Sequence, residues 1–535
     1  MNRRRFLMLA GAGAAGAAAA GAGLYTWRRN RSTPPLRSSS RNPDHPRLVL
    51  YYVPCTVPAW AINPFNKDIG FTPNLARFAE KSAVFMNNSV EIGASGISYA
   101  SLFTGAHADQ HGVFSQPEIL QSPLPQISQV FANNGYDTFY FDAHAMAKFG
   151  MNYGAGSRHV ADYLLTPGHW LFEMLLDKLS SDRNYRAFVM TSFTITHSVY
   201  PFQPTLRNRI QDYGLTPAYR VKDLPAERKA AGLSLEEVEQ FHDIYQNSGR
   251  DALQLQWDFP SHVRELNFPP AKLEKYLSAI TYLFKLNVAR LDALFGKTVE
   301  RISERGLMDE SVIAFTADHG EIMHRDNAFF KFTHGNQQAP EVLRTPFLIY
   351  GPCAGVKPGL HQYVTRSVDA FPTLAGLCAQ AMPDGAAPQG VDLSATLRGS
   401  AAPPDLEAFS HEVVPDPENY ERLKEFKTLM KVHPPDGGAD AMWASVRNPD
   451  HIVKFVKTDI GDPAPRLVAF HVPSDPEERR DIYDPADPVL SGMASRLEEY
   501  RKRLALAHSQ WKRRRTQSLT DSQKTRKLKD MGYIK

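Results

Sequence analysis

Nearly continuous apolar runs recur along the first two thirds of the chain, and each is bounded by polar residues or glycine. They lie at 47–53, 131–141, 186–193 and 311–317. Strands buried on both faces of a sheet have this pattern, because helices cover both faces of an α/β sheet. Apolar residues in 272–305 recur at helical spacing instead, which predicts an amphipathic helix. The pattern therefore predicts an α/β fold with a large mixed sheet sandwiched by helices.

Shorter apolar runs follow in the last third of the chain, after a break at 401–404. They lie at 445–447, 452–456 and 466–470 and predict strands of a small antiparallel sheet. From these features we predict a division into a linker at 32–46, a main domain at 47–400 with a polar, weakly helical insertion at about 206–270, a smaller C-terminal α+β subdomain at 401–510, and a basic tail at 511–535.

The first residues have the composition of a targeting segment. Arg3-Arg4-Arg5-Phe6-Leu7 precedes an Ala/Gly-rich stretch that ends near Trp27. This basic start and mildly apolar core resemble a twin-arginine export signal. Residues 1–31 therefore predict export by the twin-arginine machinery and a periplasmic or secreted protein. Arginines follow the apolar stretch, which is nearly long enough to span a bilayer, so a retained signal that anchors the protein to the inner membrane is an alternative.

The formal net charge of +4 comes from the two ends of the chain. Residues 1–31 contain six arginines and no acidic residue, and residues 511–535 contain nine basic and two acidic residues. The body between them has 46 basic and 55 acidic residues, a net charge of −9. Such a body has no general affinity for nucleic acid, which excludes that class of partner. The three cysteines, Cys55, Cys353 and Cys378, form no metal-binding pattern and are predicted to be free thiols.

A serine at the start of a short helix is the first candidate for chemistry. Residues 95–104 are predicted to be a helix that Gly105 closes. The free amides and the dipole at such an N-terminus attract phosphate or sulfate, so the Ser95 hydroxyl is placed to attack or bind an ester of either anion. The alternative is that Ser95 only caps the helix.

Motifs around this helix resemble the sulfatase family of the alkaline-phosphatase superfamily. They are Thr72-Pro73-Asn74-Leu75-Ala76-Arg77-Phe78, Leu102-Phe103-Thr104-Gly105 and His111-Gly112-Val113, with further likeness at 475–478 and 528–534. In that family a cysteine or serine in the pattern C-x-P-S-R is oxidised to formylglycine, and Ser95 matches this position. Ile97 and Tyr99 replace the proline or alanine and the arginine that the modifying enzymes read. We therefore expect a plain serine rather than formylglycine at position 95.

The resemblance also implies a divalent metal, calcium or zinc, held at the ends of strands. Asp318 and His319 directly follow the run at 311–317 and match metal ligands of the family. A carboxylate and a neutral imidazole suit zinc or manganese as readily as calcium. Where the family has two aspartates after its first strand, this chain has Pro54-Cys55. Cys55 is either a packed thiol or a ligand for a softer metal such as zinc.

Four more residues match positions at which the family holds the ester. The resemblance implies catalytic roles for His197 and Lys331 and substrate-binding roles for His144 and His334. Each has an alternative as an ordinary packing or loop residue. Charge-assisted hydrogen bonds from His197, Lys331 and His334 would stabilise the charge that develops on a sulfate or phosphate ester.

The function that the resemblance implies is hydrolysis of sulfate esters of small molecules or glycans, with Ser95 as the nucleophile. Two alternatives stay open. One is a phospho-transferase or phosphodiesterase that uses unmodified Ser95. The other is a non-catalytic binding protein that kept the fold after losing the aspartate pair.

Overall fold

The structure is a computed structural model that describes fifteen stretches of the chain. They are residues 45–114, 119–120, 123–143, 152–161, 164–192, 194–198, 200–202, 220–249, 259–323, 332, 334, 338–383, 388–412, 443–456 and 465–514. The chain divides into two units, 1–38 and 39–535, and every described residue belongs to the second. The predicted export signal at 1–31 lies outside the described residues.

Within the described residues, eight strands form the main sheet. They are β1 (Leu48–Tyr52), β2 (Ala83–Ser89), β3 (Asp137–Asp142), β4 (His159–Ala161), β5 (Ala187–Ser192), β6 (Ser311–Thr316), β7 (Phe347–Tyr350) and β8 (Gly359–Arg366). Their order is β4-β3-β5-β1-β6-β7-β2-β8, and only β7 runs antiparallel to its neighbours. The predicted large mixed sheet is confirmed. Strands β1, β3, β5 and β6 coincide with the four apolar runs, and every residue in them is buried.

Helices cover the sheet and link its strands. In the described part of the chain they are α1 (Pro73–Ala79), α2 (Ser95–Thr104), α3 (Ala108–His111), α4 (Ile127–Asn133), α5 (Trp170–Ser181), α6 (Pro225–Ala230), α7 (Leu235–Gln246), α8 (Phe259–Leu266), α9 (Pro270–Glu304), α10 (Pro340–Leu343), α11 (Ala370–Leu377), α12 (Ser394–Leu397) and α13 (Pro488–Arg514). The long helix predicted at 272–305 is α9. None of the described helices combines the length and the apolar character needed to cross a bilayer.

Alternate residues of β1 face opposite layers of helices, as the two-residue repeat of a strand requires. Tyr51 belongs to the large apolar cluster that contains Leu102 of α2. Tyr52 points the other way, and its ring lies 5.1 Å from that of Phe295 in α9. The central strand is therefore buried on both faces, which explains its unbroken apolar sequence.

A second sheet, with four antiparallel strands in the part of the chain that the structure describes, lies in the C-terminal part. Its strands are β9 (Ala408–His411), β10 (Ala444–Arg447), β11 (His451–Val456) and β12 (Arg466–His471), in the order β12-β11-β10-β9. Val446 of β10 and Leu497 of α13 belong to the same apolar cluster as Tyr51. The predicted small antiparallel sheet is thus present, and it shares its core with the main sheet.

A buried carboxylate joins the segment before α2 to this C-terminal part. Oε1 of Glu91 accepts hydrogen bonds from the Ala108 amide and the Tyr500 hydroxyl, both at 3.1 Å. Oε2 accepts a hydrogen bond from the Ser101 hydroxyl at 2.9 Å. Nδ1 of His107 lies 3.2 Å from Oε1. We call the following residues the Glu91 hub: Glu91, Ser101, His107, His111 and Tyr500.

The hydrogen bonds from His111 to Ser101 and from Ser101 to Glu91 form a chain of donors that ends at the Glu91 carboxylate. The Val113 amide donates to Nδ1 of His111 at 3.1 Å, so the ring proton of His111 is on Nε2. Nε2 lies 3.1 Å from the Ser101 oxygen and donates to it, and Ser101 in turn donates to Glu91. The backbone amide of His411 in β9 donates to the Glu91 carbonyl at 2.9 Å. These contacts fix the segment that leads into Ser95.

Candidate active site

Three segments of the chain meet at one edge of the main sheet. Cys55 follows β1, Asp318 and His319 follow β6, and Ser95 begins α2. Strands β1 and β6 are parallel, so their carboxyl ends lie at the same edge, where α/β proteins bind their ligands. All four side chains are completely buried.

Ser95 does not cap its helix. The residue at the N-cap position is Ala94, in an extended conformation, and no side chain there accepts a capping hydrogen bond. The Ser95 oxygen instead lies 3.1 Å from Nε2 of His319 and 3.2 Å from Sγ of Cys55. The helix ends as predicted at Gly105, whose φ of 63° is left-handed. The hydroxyl thus faces the ends of the strands and not its own backbone.

Hydrogen bonds to the backbone orient Asp318 and His319. Oδ1 of Asp318 accepts from the His319 amide at 2.7 Å and from the Thr56 amide at 3.0 Å. Nδ1 of His319 lies 2.8 Å from the Gly320 carbonyl and must donate to it, so Nε2 carries the lone pair. Oδ2 of Asp318 is buried without a hydrogen bond from any described residue and lies 3.4 Å from Nε2 of His319.

These atoms fit a divalent metal ion. Cys55, Asp318 and His319 each present one ligand atom, and the three atoms lie within 4.8 Å of one another. A buried carboxylate oxygen without a donor is costly unless a cation or a donor meets it. The Asp318 oxygen, the lone pair of His319 and the thiol form a mixed oxygen, nitrogen and sulfur set of the kind that binds zinc.

Gly320 is required by a close backbone approach at this edge. A Cβ atom at this position would lie 1.9 Å from the carbonyl oxygen of Glu341. The Gly320 amide donates to the Val342 carbonyl at 2.8 Å, and the Val57 amide donates to the His319 carbonyl at 2.8 Å. The loop that carries Asp318 and His319 is therefore held between the segment after β1 and helix α10.

Two further histidines extend the site away from Ser95. The ring of His334 lies 4.4 Å from that of His319, and the ring of His197 lies 5.0 Å from that of His334. Nδ1 of His334 lies 3.0 Å from Oε1 of Glu321. The hydroxyl of Thr196 donates to the Cys55 carbonyl, which anchors the loop that carries His197.

Burial controls the protonation of this row of side chains. Burial lowers the pKa of His197 to about 4, with a further contribution from His334. Burial likewise lowers the pKa of His334 to about 4. Burial raises the pKa of Glu321 to about 7, although the neighbouring imidazoles of His197 and His319 oppose the rise. Both outer imidazoles are therefore neutral at neutral pH.

The structure brings five of the residues predicted from the sequence to one edge of the sheet. They are Ser95, His197, Asp318, His319 and His334. The other two, His144 and Lys331, lie outside the described residues. The catalytic, substrate-binding and metal-binding roles of all seven stay predictions.

Sequence reasoning gave no role to Glu321 and left Cys55 undecided. Glu321 belongs to the same Asp-His-Gly-Glu motif as the metal-ligand candidates, so its position next to them was the available signal. Its pairing with His334 depends on how the chain folds back, which the motif does not show.

Comparison with known proteins identifies the family. The model of the Sulfatase family matches residues 57–380, which is more than half of the chain. The chain belongs to the sulfatase family. The family predicted from the motifs is thereby confirmed, and a metal ion, which sulfatases generally use, is consistent with the Cys55, Asp318 and His319 cluster.

Curated sulfatases resemble this sulfatase-family chain over limited regions. Choline-sulfatase of Rhizobium meliloti is 33% identical over 91 residues, 17% of each chain. Arylsulfatase K of Xenopus laevis is 26% identical over 216 residues, 39% of this chain and 34% of the relative. N-acetylgalactosamine-6-O-sulfatase of Bacteroides thetaiotaomicron is 25% identical over 231 residues, 40% of this chain and 41% of the relative. The matches thus span less than half the length of these relatives.

Solved structures resemble the sulfatase-family chain over most of its length. A protein solved in complex with its substrate D-glucosamine-2-N,6-O-disulfate has a TM-score of 0.57 at 17% identity, covering 86% of this chain and 98% of that one. Phosphonate monoester hydrolase of Agrobacterium radiobacter has a TM-score of 0.56 at 17% identity, covering 87% and 96%. At such low identity these similarities show the fold alone.

Proposed function

We propose that this protein is a metal-dependent hydrolase of sulfate esters with Ser95 as its nucleophile. One observation carries the proposal: in a sulfatase-family fold, the Ser95 oxygen lies 3.1 Å from Nε2 of His319 and 3.2 Å from Sγ of Cys55, two of the three residues that can hold a metal. A bound divalent ion supplies Lewis-acid chemistry, which lowers the pKa of an adjacent hydroxyl and neutralises charge on an ester.

The unmodified hydroxyl is the form of Ser95 that we favour. Tyr99, at the position of the family's arginine, is completely buried and donates a hydrogen bond to the Val53 carbonyl at 3.1 Å. It fastens α2 to the end of β1 and offers no cation to an ester. Ile97 is also completely buried.

The reaction we assign proceeds in two displacements at sulfur. The Ser95 oxygen attacks the sulfur atom, the bond between sulfur and the alcohol oxygen breaks, and the alcohol leaves with a proton. Water then attacks the same sulfur and releases sulfate and the free serine. Nδ1 of His334 lies 3.0 Å from Oε1 of Glu321, and we assign to this pair the relay of the proton from Ser95 to the departing alcohol. His197, beside His334, is placed to orient the ester.

We favour zinc over calcium as the metal. Calcium takes about six to eight oxygen ligands, and among the described residues the cluster offers one carboxylate, one imidazole and one thiol. Zinc accepts four ligands of this mixed kind. Asp318, His319 and Cys55 would hold the ion, with the Ser95 oxygen beside them.

The substrate class and location that we propose follow from the relatives and from the first residues. Two of the relatives named above are, by their names, a choline-sulfatase and an N-acetylgalactosamine-6-O-sulfatase. We propose a sulfate ester of a small molecule or glycan as substrate. The composition of residues 1–31 supports export by the twin-arginine machinery to the periplasm or beyond, with an uncleaved inner-membrane anchor as the alternative.

Activity of the full chain with matched serine variants tests the proposed function. We expect hydrolysis of 4-nitrophenyl sulfate by the wild type, a loss on the order of 1,000-fold or more in Ser95→Ala, and no change in Ser181→Ala, a serine exposed at the end of α5. Mass spectrometry of the peptide that contains Ser95 distinguishes plain serine from formylglycine. Faster hydrolysis of 4-nitrophenyl phosphate would favour a phosphoryl-transfer enzyme. Absence of any turnover and any metal would favour a binding protein.

Restoring a carboxylate at the end of β1 tests the choice of metal. We expect bound zinc in the wild type and, in Cys55→Asp, weaker zinc binding and stronger calcium binding, because an oxygen replaces the soft sulfur ligand. Metal analysis by mass spectrometry after dialysis against both ions measures this shift. Equal zinc content in Cys55→Asp, Cys55→Ala and the wild type would show that Cys55 is not a ligand.

A further inference from the structure

A cavity with arginine side chains in a largely apolar lining lies between the main sheet and the C-terminal sheet, on residues to which the proposed reaction assigns no role. Its internal volume is about 20 Å³, and about 400 Å³ with the open space at its mouth. Residues from both parts of the chain line it, among them Ser89, Arg344, Ser410, Arg447 and Glu478. Arg344 directly follows α10, and Arg447 ends β10.

Both arginines in this cavity lack acceptors for part of their guanidinium groups. Arg447 is 4% exposed, and its Nη2 donates to Oδ1 of Asn87 at 2.7 Å, whereas Nε and Nη1 are buried without an acceptor in the described chain. Arg344 donates from Nη2 to the Met86 carbonyl at 3.4 Å, and its Nε has no acceptor there either. Buried charged donors without acceptors are costly, and a planar guanidinium matches the oxygens of an oxyanion.

The carboxylates near the cavity are already occupied. Glu478 forms an ion pair with the ammonium group of Lys454, which is 4% exposed in its side chain. Asp475 accepts hydrogen bonds from the backbone amides of Arg479, at 2.9 and 3.0 Å, and of Arg480, at 2.9 Å. Neither Arg344 nor Arg447 forms an ion pair with a residue in the described ranges. Glu478 attracts both guanidinium groups at longer range, but among the described residues no carboxylate is in direct contact with either.

Electrostatics of the pair agree with this geometry. Burial lowers the pKa of Arg447 to about 9, and the neighbouring charge of Arg344 contributes to the decrease. Burial lowers the pKa of Arg344 as well. The Glu478 carboxylate opposes both decreases in pKa, and an anion between the two groups would oppose them further.

We propose that the cavity at Arg344 and Arg447 binds an oxyanion, in the form of free sulfate or of an anionic group on a larger ligand. Each guanidinium group offers at least one buried N–H donor that has no acceptor among the described residues, and charge-assisted hydrogen bonds from such donors bind oxyanions. The site is connected to the candidate active site through α10. The Val342 carbonyl accepts from the Gly320 amide at 2.8 Å, and the Arg344 carbonyl accepts from the Ala59 amide at 2.9 Å. Anion binding therefore holds in place the segment that packs against Gly320.

Calorimetric titration of the full chain with sodium sulfate, at ionic strength held constant with sodium chloride, tests the site. In the Ser95→Ala background we expect a binding event that Arg447→Gln weakens by about 10-fold or more, because charge-assisted hydrogen bonds are lost. Arg447→Lys, which keeps the positive charge but not the planar guanidinium group, should have an intermediate affinity for sulfate. Arg466→Gln, in an exposed arginine of β12, should bind as the parent does.

Two further measurements distinguish the source of the oxyanion and guard against misfolded variants. If the cavity takes an anionic group of a larger ligand, Arg447→Gln should weaken binding of a disulfated glucosamine and leave that of its monosulfated form unchanged. Crystals of the unaltered chain grown in selenate should show an anomalous selenium peak between Arg344 and Arg447. No peak in the cavity, together with equal sulfate and disulfate binding by wild type and Arg447→Gln, would overturn the proposal.

Discussion

Two regions of this molecule contain the same three kinds of side chain: a buried carboxylate, buried imidazoles and a serine hydroxyl. In the candidate active site these are Asp318, His319 and Ser95. In the Glu91 hub the carboxylate is Glu91 and the hydroxyl is that of Ser101. The chemical inventory of the two regions is nearly identical, but their hydrogen bonding differs.

The two regions differ in whether both oxygens of the carboxylate accept hydrogen bonds from the protein itself. Both oxygens of Glu91 accept hydrogen bonds from residues of the chain. Oδ2 of Asp318 accepts none from the described residues, although it is completely buried. A carboxylate whose two oxygens both accept hydrogen bonds from the protein stabilises the fold. A carboxylate with one oxygen that accepts none can bind a ligand. Residue type alone therefore does not separate a structural site from a reactive one.

Removing the open carboxylate should have the largest effect on function. We expect Asp318→Ala to lose its bound metal and to lower kcat/KM on the order of 1,000-fold, because several kcal/mol of charge stabilisation disappear with the ion. Metal analysis and 4-nitrophenyl sulfate hydrolysis measure the two losses. Retention of a full equivalent of metal in Asp318→Ala would place the ion elsewhere.

Removing the Glu91 carboxylate, whose two oxygens both accept hydrogen bonds, should lower the stability of the fold instead. We expect Glu91→Ala to lower the free energy of unfolding by about 3–5 kcal/mol, since it leaves buried donors and His107 without their partner. Urea unfolding measures the change, and the folded fraction should keep its metal. The control is Glu407→Ala, which breaks an ion pair with half-exposed Arg496 and should cost under about 1 kcal/mol. Equal losses in the two variants would contradict the role of the hub.

The pH dependence of stability should show a smaller contribution from the hub. Burial lowers the pKa of His111 to about 4, so the unfolded chain binds the extra proton first as pH falls. The stability contribution of His111 is therefore complete above about pH 6.5 and is lost toward pH 4, at up to about 1.4 kcal/mol per pH unit. We expect the free energy of unfolding of His111→Gln to depend less steeply on pH over that range. Parallel curves for the two proteins would exclude this contribution.

Burial opposes ionisation of Glu91 and would raise its pKa, but His107, His411 and His111 outweigh it and lower the pKa well below its usual value. The carboxylate therefore stays charged through the window in which His111 titrates. Its own contribution is lost only at still lower pH, below the ordinary glutamate value of about 4.3.

Local patterns in the sequence were sufficient to predict the strands that lie in the middle of the main sheet. The apolar run around Tyr51 predicts β1 because both of its faces are covered. Strands β2 and β8 were not predicted, since polar residues such as half-exposed Asn87 and exposed Gln362 interrupt their apolar pattern. Packing across the sheet, which no local window contains, decides these two strands.

The sequence predicted those residues of the candidate site that lie directly after a strand. Asp318 and His319 follow an evident strand, and parallel strands bring their ends together. The contact between Glu321 and His334 joins parts of the chain whose approach depends on loops without a periodic pattern. The position of the Thr56 amide likewise depends on a loop, and because this amide donates to Oδ1 of Asp318, it helps to decide which oxygen of Asp318 is left without a hydrogen bond from the described residues.

Tyr500 reaches Glu91 across 409 positions of the chain. During synthesis the segment that precedes Ser95 leaves the ribosome long before this partner exists, and contacts of such sequence separation form slowly. The contacts around the segment that leads into Ser95 are therefore completed only after nearly the whole polypeptide has been made, and we expect a chain truncated before Tyr500 to lack one of them.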